Sequence, residues 1–192
     1  MKSAARVITL FAVAAATACG QPGEDAAMAE GAPRVAAMAA GDAASAAGVT
    51  ALYETVRGYI TASAEQMPEE DYSFSPTPEV RSFGQIVGHV ANASFMFCAP
   101  VRGEEAPSRP NAEELATKAE IVQALSEAFA YCDQAYATDA AQMADALQFF
   151  GQPHTKLSVL AFNMAHDFEH YGNLVTYMRL NGMVPPSSQG GM

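Results

Sequence analysis

Phe162-Asn163-Met164-Ala165-His166-Asp167-Phe168-Glu169-His170-Tyr171-Gly172-Asn173-Leu174-Val175-Thr176-Tyr177 reads as the middle of one long helix. His166 and His170 are four residues apart, so a helix stacks them one turn apart on one face. That spacing lets a single helix offer two nitrogens to one metal ion. The helix is predicted from about His154 to Leu180, with Gly182 as its cap and Pro185-Pro186 preventing continuation. At ~100° per residue, Val159, Phe162, Asn163, Asn173, Leu174 and Tyr177 share the side of His166. The pair therefore faces a mostly apolar interior with a few amides. Two imidazoles there need partners, and a metal would satisfy both.

A third ligand has to come from elsewhere. Upstream, Val49, Leu52, Tyr53, Val56, Tyr59 and Ile60 recur at helical steps and predict a first helix from about Ala47 to Gln66, ended by Met67-Pro68. A second is predicted from Ser82, where Ser82-Phe83-Gly84-Gln85 has capping-box form, to about Cys98, with Pro100 closing it. His89 lies near its centre, beside Gln85, Asn92 and Met96. Thr117-Lys118-Ala119-Glu120 opens a third helix striped by Ile121, Val122, Leu125, Phe129, Cys132 and Tyr136. Residues 138–153 read as a connector with one short amphipathic turn around Met143 to Phe150. Four helices predict an all-α four-helix bundle over residues 46–187, with 188–192 a loose tail. Antiparallel packing of the second and fourth helices would bring His89 level with His166 and His170.

Other polar residues sort by geometry. Cys98 is nine residues from His89, ~13.5 Å along the axis and on the opposite side. His154 reads as a surface or pocket-rim residue, and Glu169 falls on the wet edge. Asp167 falls among Leu160, Leu174 and Met178 and must have a partner there. Either it holds a ligand imidazole, or it bonds a neighbouring helix or a tyrosine. Asp167, Asn163 and Tyr177 are candidate helpers in catalysis.

The loop between helices 2 and 3 is long enough to travel back along the bundle, so the two could run parallel. Parallel helices would set Cys98 level with Cys132. The pair then forms either a disulfide, favoured in an oxidising compartment, or two separately buried thiols.

The N-terminus reads as an address. Lys2 and Arg6 precede an apolar run, Val7 to Ala16, far shorter than the ~20 residues that span a bilayer. Residues 1–18 are predicted to be a signal peptide. Ala16-Thr17-Ala18-Cys19-Gly20 resembles a lipoprotein cleavage site, which makes Cys19 a lipidation candidate. Residues 19–45 are then a flexible linker, and the protein is expected to be exported, as a periplasmic protein or a membrane-anchored lipoprotein. The membrane would be met only through that lipid. The net charge of −11, with no cluster of Lys or Arg, excludes a nucleic-acid backbone as partner. A small-molecule substrate or ligand, and a possible homodimer, remain open.

Taken together, Phe83-Gly84-Gln85-Ile86-Val87-Gly88-His89-Val90, His166-Asp167-Phe168-Glu169-His170-Tyr171-Gly172 and Leu180-Asn181-Gly182-Met183-Val184-Pro185-Pro186 resemble the DinB-like and YfiT-like metalloenzymes. Met67 to Phe74 fits as well, and the resemblance spans about residues 47–187. It implies an up-down-down-up bundle and three histidine ligands, His89, His166 and His170, on a divalent metal, Zn²⁺ or Ni²⁺. Relatives include thiol-dependent transferases and isomerases, but an exported chain would meet little cytosolic thiol cofactor. Metal-dependent hydrolysis, with the three-histidine metal activating water, is therefore the first expectation. A non-catalytic metal- or ligand-binding lipoprotein, or a thiol-dependent transferase or isomerase, is the alternative.

Overall fold

The computed structural model describes residues 25–190, with side chains from residue 41 onward except residue 42. Residues 1–18 and Cys19, read as signal peptide and lipidation site, lie outside the described residues. The chain divides into two units, 1–36 and 37–192, and in the first the described residues are helical.

Helix α1 runs Asp25–Gln66, α2 Phe83–Arg102, α3 Lys118–Tyr136 and α4 Lys156–Leu180. Two of these differ from the sequence reading. Helix α1 starts at Asp25 rather than near Ala47, so from that point the stretch read as linker is helical. Alanine adds almost no cost to a helix, so an alanine-rich run continues it without an apolar stripe. On α1, Tyr53, Val56 and Ile60 are buried while Leu52 faces water. Helix α2 runs past Pro100 to Arg102. Proline removes one backbone donor, which near a helix end is a small loss. Gly103, at φ 73°, then closes the turn, with Glu104 N–H donating to the Ala99 carbonyl.

Capping boxes open α2 at Ser82 and Gln85, and α3 at Thr117 and Glu120. A third, Thr155 with Ser158, opens α4. That places its start just after His154, which belongs to a strand.

The directions follow from contacts. His89 and Phe97 of α2 meet His166 and Phe162 of α4, so these helices are antiparallel. Cys98 and Cys132, each late in its helix, are joined by a disulfide with Cα atoms 5.3 Å apart, so α2 and α3 are parallel. Tyr53, three turns before the end of α1, stacks on Tyr136, late in α3, while Lys118 at the start of α3 donates to the Glu65 and Met67 carbonyls that close α1. The bundle is thus up-down-down-up.

Between α3 and α4 the structure replaces the expected amphipathic turn with a hairpin. Strands β1 (Ala146–Phe149) and β2 (Gln152–Thr155) pair antiparallel, Phe149 opposite Gln152. Phe150 and Gly151 both take positive φ, 49° and 72°. Two such residues in sequence make the type I′ turn whose twist matches a hairpin. Phenylalanine is an unusual first residue for it, which is why the hairpin carried no turn signal. After α4, Ser187 N–H donates to the Tyr171 hydroxyl and the Gln189 amide to Gln66.

Candidate metal centre

The antiparallel pairing of α2 and α4 brings three imidazoles together near mid-bundle. His166 Nε2 lies 3.2 Å from His89 Nε2 and 3.1 Å from His170 Nε2. One nitrogen from each lies within 4.8 Å of the others. His170 is buried; His89 and His166 are partly exposed. Burial first, and then the neighbouring His166 and His89, push the His170 imidazole down to about 4. It is therefore neutral near pH 7, the form that can donate a lone pair.

Each outward nitrogen has its own neighbour. His89 Nδ1 lies 2.9 Å from Glu113 Oε1. A carboxylate can only accept, so the proton sits on Nδ1 and the Nε2 lone pair is turned toward the other two rings. Glu113 also accepts from Arg81 Nε at 2.8 Å. Although its partial burial works against it, these two bonds hold the Glu113 carboxyl below the usual range. His170 Nδ1 is 3.5 Å from the Asn173 amide. His166 Nδ1 faces Asp167 Oδ1 at 3.9 Å, and both atoms are buried without a hydrogen bond. Burial pushes the Asp167 carboxyl up to about 6.

This donor set fits a divalent cation. Three imidazole nitrogens aimed at one another need a shared proton or a metal ion between them. Zn–N bonds of ~2.0–2.1 Å in tetrahedral geometry set ligand nitrogens ~3.3 Å apart, close to the separations here. Three such ligands leave a coordination position open, as catalytic rather than closed structural sites do.

Sequence reasoning passed over Glu113, and the structure shows how it arrives. It lies in a single 3-10 turn, Ala112–Glu114, within the long loop between α2 and α3. Gly88, one residue before His89, lets that turn lie directly on α2. A Cβ at Gly88 would sit 2.4 Å from the Ala112 carbonyl oxygen and 2.8 Å from the Glu113 nitrogen. Asn92, one turn on, accepts from Ala112 N–H at 3.0 Å and donates to Asn111 at 2.6 Å. A glycine beside the histidine and an asparagine a turn later were the visible signals, but neither names the loop they receive.

The remaining candidates have definite places. Asn163 is wholly buried and donates to the Tyr136 hydroxyl at 3.1 Å and to Asp167 Oδ2 at 3.3 Å. Tyr177 donates to the Arg81 carbonyl. Gln85 is used in its helix cap. His154, on β2, packs edge-on against Phe149 and lies outside the three-histidine group. Glu169 is exposed. An open groove of about 650 Å³ passes His170 and is lined also by Arg81, Ile86, Glu169, Asn173 and Tyr177.

Glu113→Gln is expected to weaken zinc binding by about 10–100-fold, since partners that orient a ligand imidazole carry that much affinity. Competition against a chromophoric chelator measures it. An unchanged affinity would mean that Glu113 serves only the Arg81 ion pair.

Comparison with known proteins agrees with this architecture. The model of the DinB superfamily matches residues 52–174. YjoA of Bacillus subtilis is 25% identical over 122 residues, covering 62% of this chain and 79% of YjoA. The crystal structure of YjoA, described as DinB-like, superposes with a TM-score of 0.59 at 20% identity, covering 76% of this chain and 99% of that one. A DinB-like protein from Bacillus cereus gives 0.64 at 16% identity, covering 76% and 96%. A conserved protein from Enterococcus faecalis gives 0.57 at 14%, covering 69% and 94%.

Proposed function

This chain belongs to the DinB superfamily, and on that premise we propose that it is an exported metal-dependent hydrolase of a small molecule, with His89, His166 and His170 holding one Zn²⁺ or Ni²⁺. The observation that carries the reading is the convergence of three Nε2 atoms at 3.1 and 3.2 Å. A divalent metal there supplies Lewis acidity, lowering the pKa of water toward neutrality and polarising a substrate oxygen. The protein supplies the rest. Glu113 fixes the His89 tautomer, burial keeps His170 neutral, and Asn173 lies where its amide can orient His170. Phe97, itself buried, packs its ring against His166 and limits how that imidazole can turn. The groove past His170 gives a small molecule a way in, with Arg81 and Asn173 as polar contacts. Hydrolysis is preferred over thiol chemistry because water is the nucleophile available outside the cytoplasm.

Elemental analysis of the full-length protein, with turnover of activated esters, amides and phosphates before and after chelation, tests this reading. Near-stoichiometric zinc or nickel, and hydrolysis lost on chelation and restored by metal, are expected. Protein without metal and without a thermal shift on adding either ion would sink the metal site. Bound metal with no metal-dependent hydrolysis would leave a metal-binding protein and remove the enzyme.

Export is proposed from Lys2, Arg6, the apolar run and Cys19. Among the described residues no helix is long and apolar enough to cross a membrane, so lipid at Cys19 would be the attachment. In a bacterial host the parent is expected in the membrane fraction, and Cys19→Ser in the soluble one. Equal partition of the two would remove lipidation.

A further inference from the structure

The two flanks of the three-histidine centre differ in chemistry. The groove past His170 carries Arg81, Glu169 and Asn173. The flank past His166 is aromatic. Phe97 packs against His166 with ring centroids 5.4 Å apart, against Phe162 at 5.1 Å and against Phe149 at 5.3 Å. Phe150, at the hairpin tip, lies on Phe149 at 4.2 Å. Rings therefore run in unbroken contact from the hairpin turn to an imidazole of the centre. The inner members, Phe97 and Phe149, are buried, whereas Phe162 is 46% and Phe150 66% exposed.

Neither folding nor packing accounts for Phe150. Its φ of 49° is a conformation that asparagine or glycine adopts at less cost. Its ring stays mostly in water, so core burial returns little. A side chain kept at a backbone outlier and joined to a candidate site by successive ring contacts points to use by that site. Phe162 is one turn before His166 on α4, so it lies on the same face of that helix as the imidazole.

We propose that Phe150 and Phe162 form the rim of a subsite for an aryl or extended apolar group of the small molecule on which the centre acts. The subsite adjoins the centre at His166, one turn from Phe162 on α4, and it rests on the reading of the three histidines as a metal site. The substrate class is thereby narrowed to molecules with a hydrolysable polar head and an apolar tail. The head meets His89, His166 and His170, and the tail lies along the hairpin.

Two hydroxamates test this, because they share a metal-binding head and differ in the tail. The zinc-loaded full-length protein is titrated calorimetrically with acetohydroxamate and with 4-phenylbutanohydroxamate. The aryl probe is expected to bind at least about tenfold more tightly. Phe150→Asn and Phe162→Ser are each expected to lose most of that gain while binding acetohydroxamate as the parent does. Asparagine suits positive φ, so a loss in Phe150→Asn cannot be laid to a damaged hairpin. Equal affinity of the two probes, or a gain that survives both substitutions, overturns the subsite while leaving the metal intact. Survival of the gain, with the variants instead shifting sedimentation from dimer to monomer, overturns it in favour of self-association. If the protein takes up no zinc and neither probe binds, the metal reading falls and the subsite with it.

Discussion

The His166→Ala, His170→Ala variant is expected to purify without zinc or nickel, while its helical circular dichroism matches the parent's. Two of the three converging nitrogens are removed, and one remaining imidazole cannot hold a metal that binds through three or four protein ligands. The fold should survive. Caps, core and disulfide are untouched, and the lost packing is confined to one buried ring and one partly exposed ring. The removal also ends the crowding of three lone pairs. The contrast with the parent is thermal. At a free metal concentration 100 times Kd, a ligand that binds only the folded state stabilises by about 2.7 kcal/mol. For a chain of this size that raises Tm by roughly 5–10 °C. The parent should show the rise and the variant none. A variant that keeps its metal, or shifts as far as the parent does, would place the metal elsewhere.

What the sequence made legible, and what it hid, divides along a physical line. Helices announce themselves locally. The apolar stripe of α3 and the capping boxes at Ser82 and Thr117 lie within a few residues of the structure they cause, and the structure contains them. The i, i+4 pair on α4 is legible for the same reason, and His89 at mid-helix needed only antiparallel packing to meet it. Glu113 was not legible, because it sits in a proline-punctuated loop whose path is set by contacts at Gly88 and Asn92, far off in sequence. The hairpin was hidden by a Phe-Gly turn where the usual signal is Asn-Gly or Asp-Gly. The N-terminal extension of α1 was hidden because alanine supports a helix without marking a buried face. The partners of the amides were hidden for the same reason as Glu113, since Asn92 bonds the Ala112 turn of the loop and Asn163 bonds Tyr136 across the core.

Removal of the disulfide has the largest expected effect on stability. Cys98→Ala, Cys132→Ala is expected to cost about 3–4 kcal/mol, because the bond closes a loop of 34 residues and restricts the unfolded chain accordingly. That corresponds to roughly 6–16 °C in Tm. Alanine is the right replacement, since both positions are fully buried and a serine hydroxyl would need a partner there. Reductant should lower the parent's Tm by a similar amount and leave the variant unmoved. The loop so closed contains Gly103 to Thr117, and with it Glu113. The turn that presents Glu113 is nevertheless held to α2 by Asn92 and seated on Gly88, both remote from the sulfurs along the helix. Zinc affinity measured below the melting range should therefore change little in the double variant, whereas Glu113→Gln lowers it without moving Tm comparably. If breaking the disulfide instead released metal, the loop's position would depend on the bond, and the contacts at Gly88 and Asn92 would not be what holds Glu113 against His89.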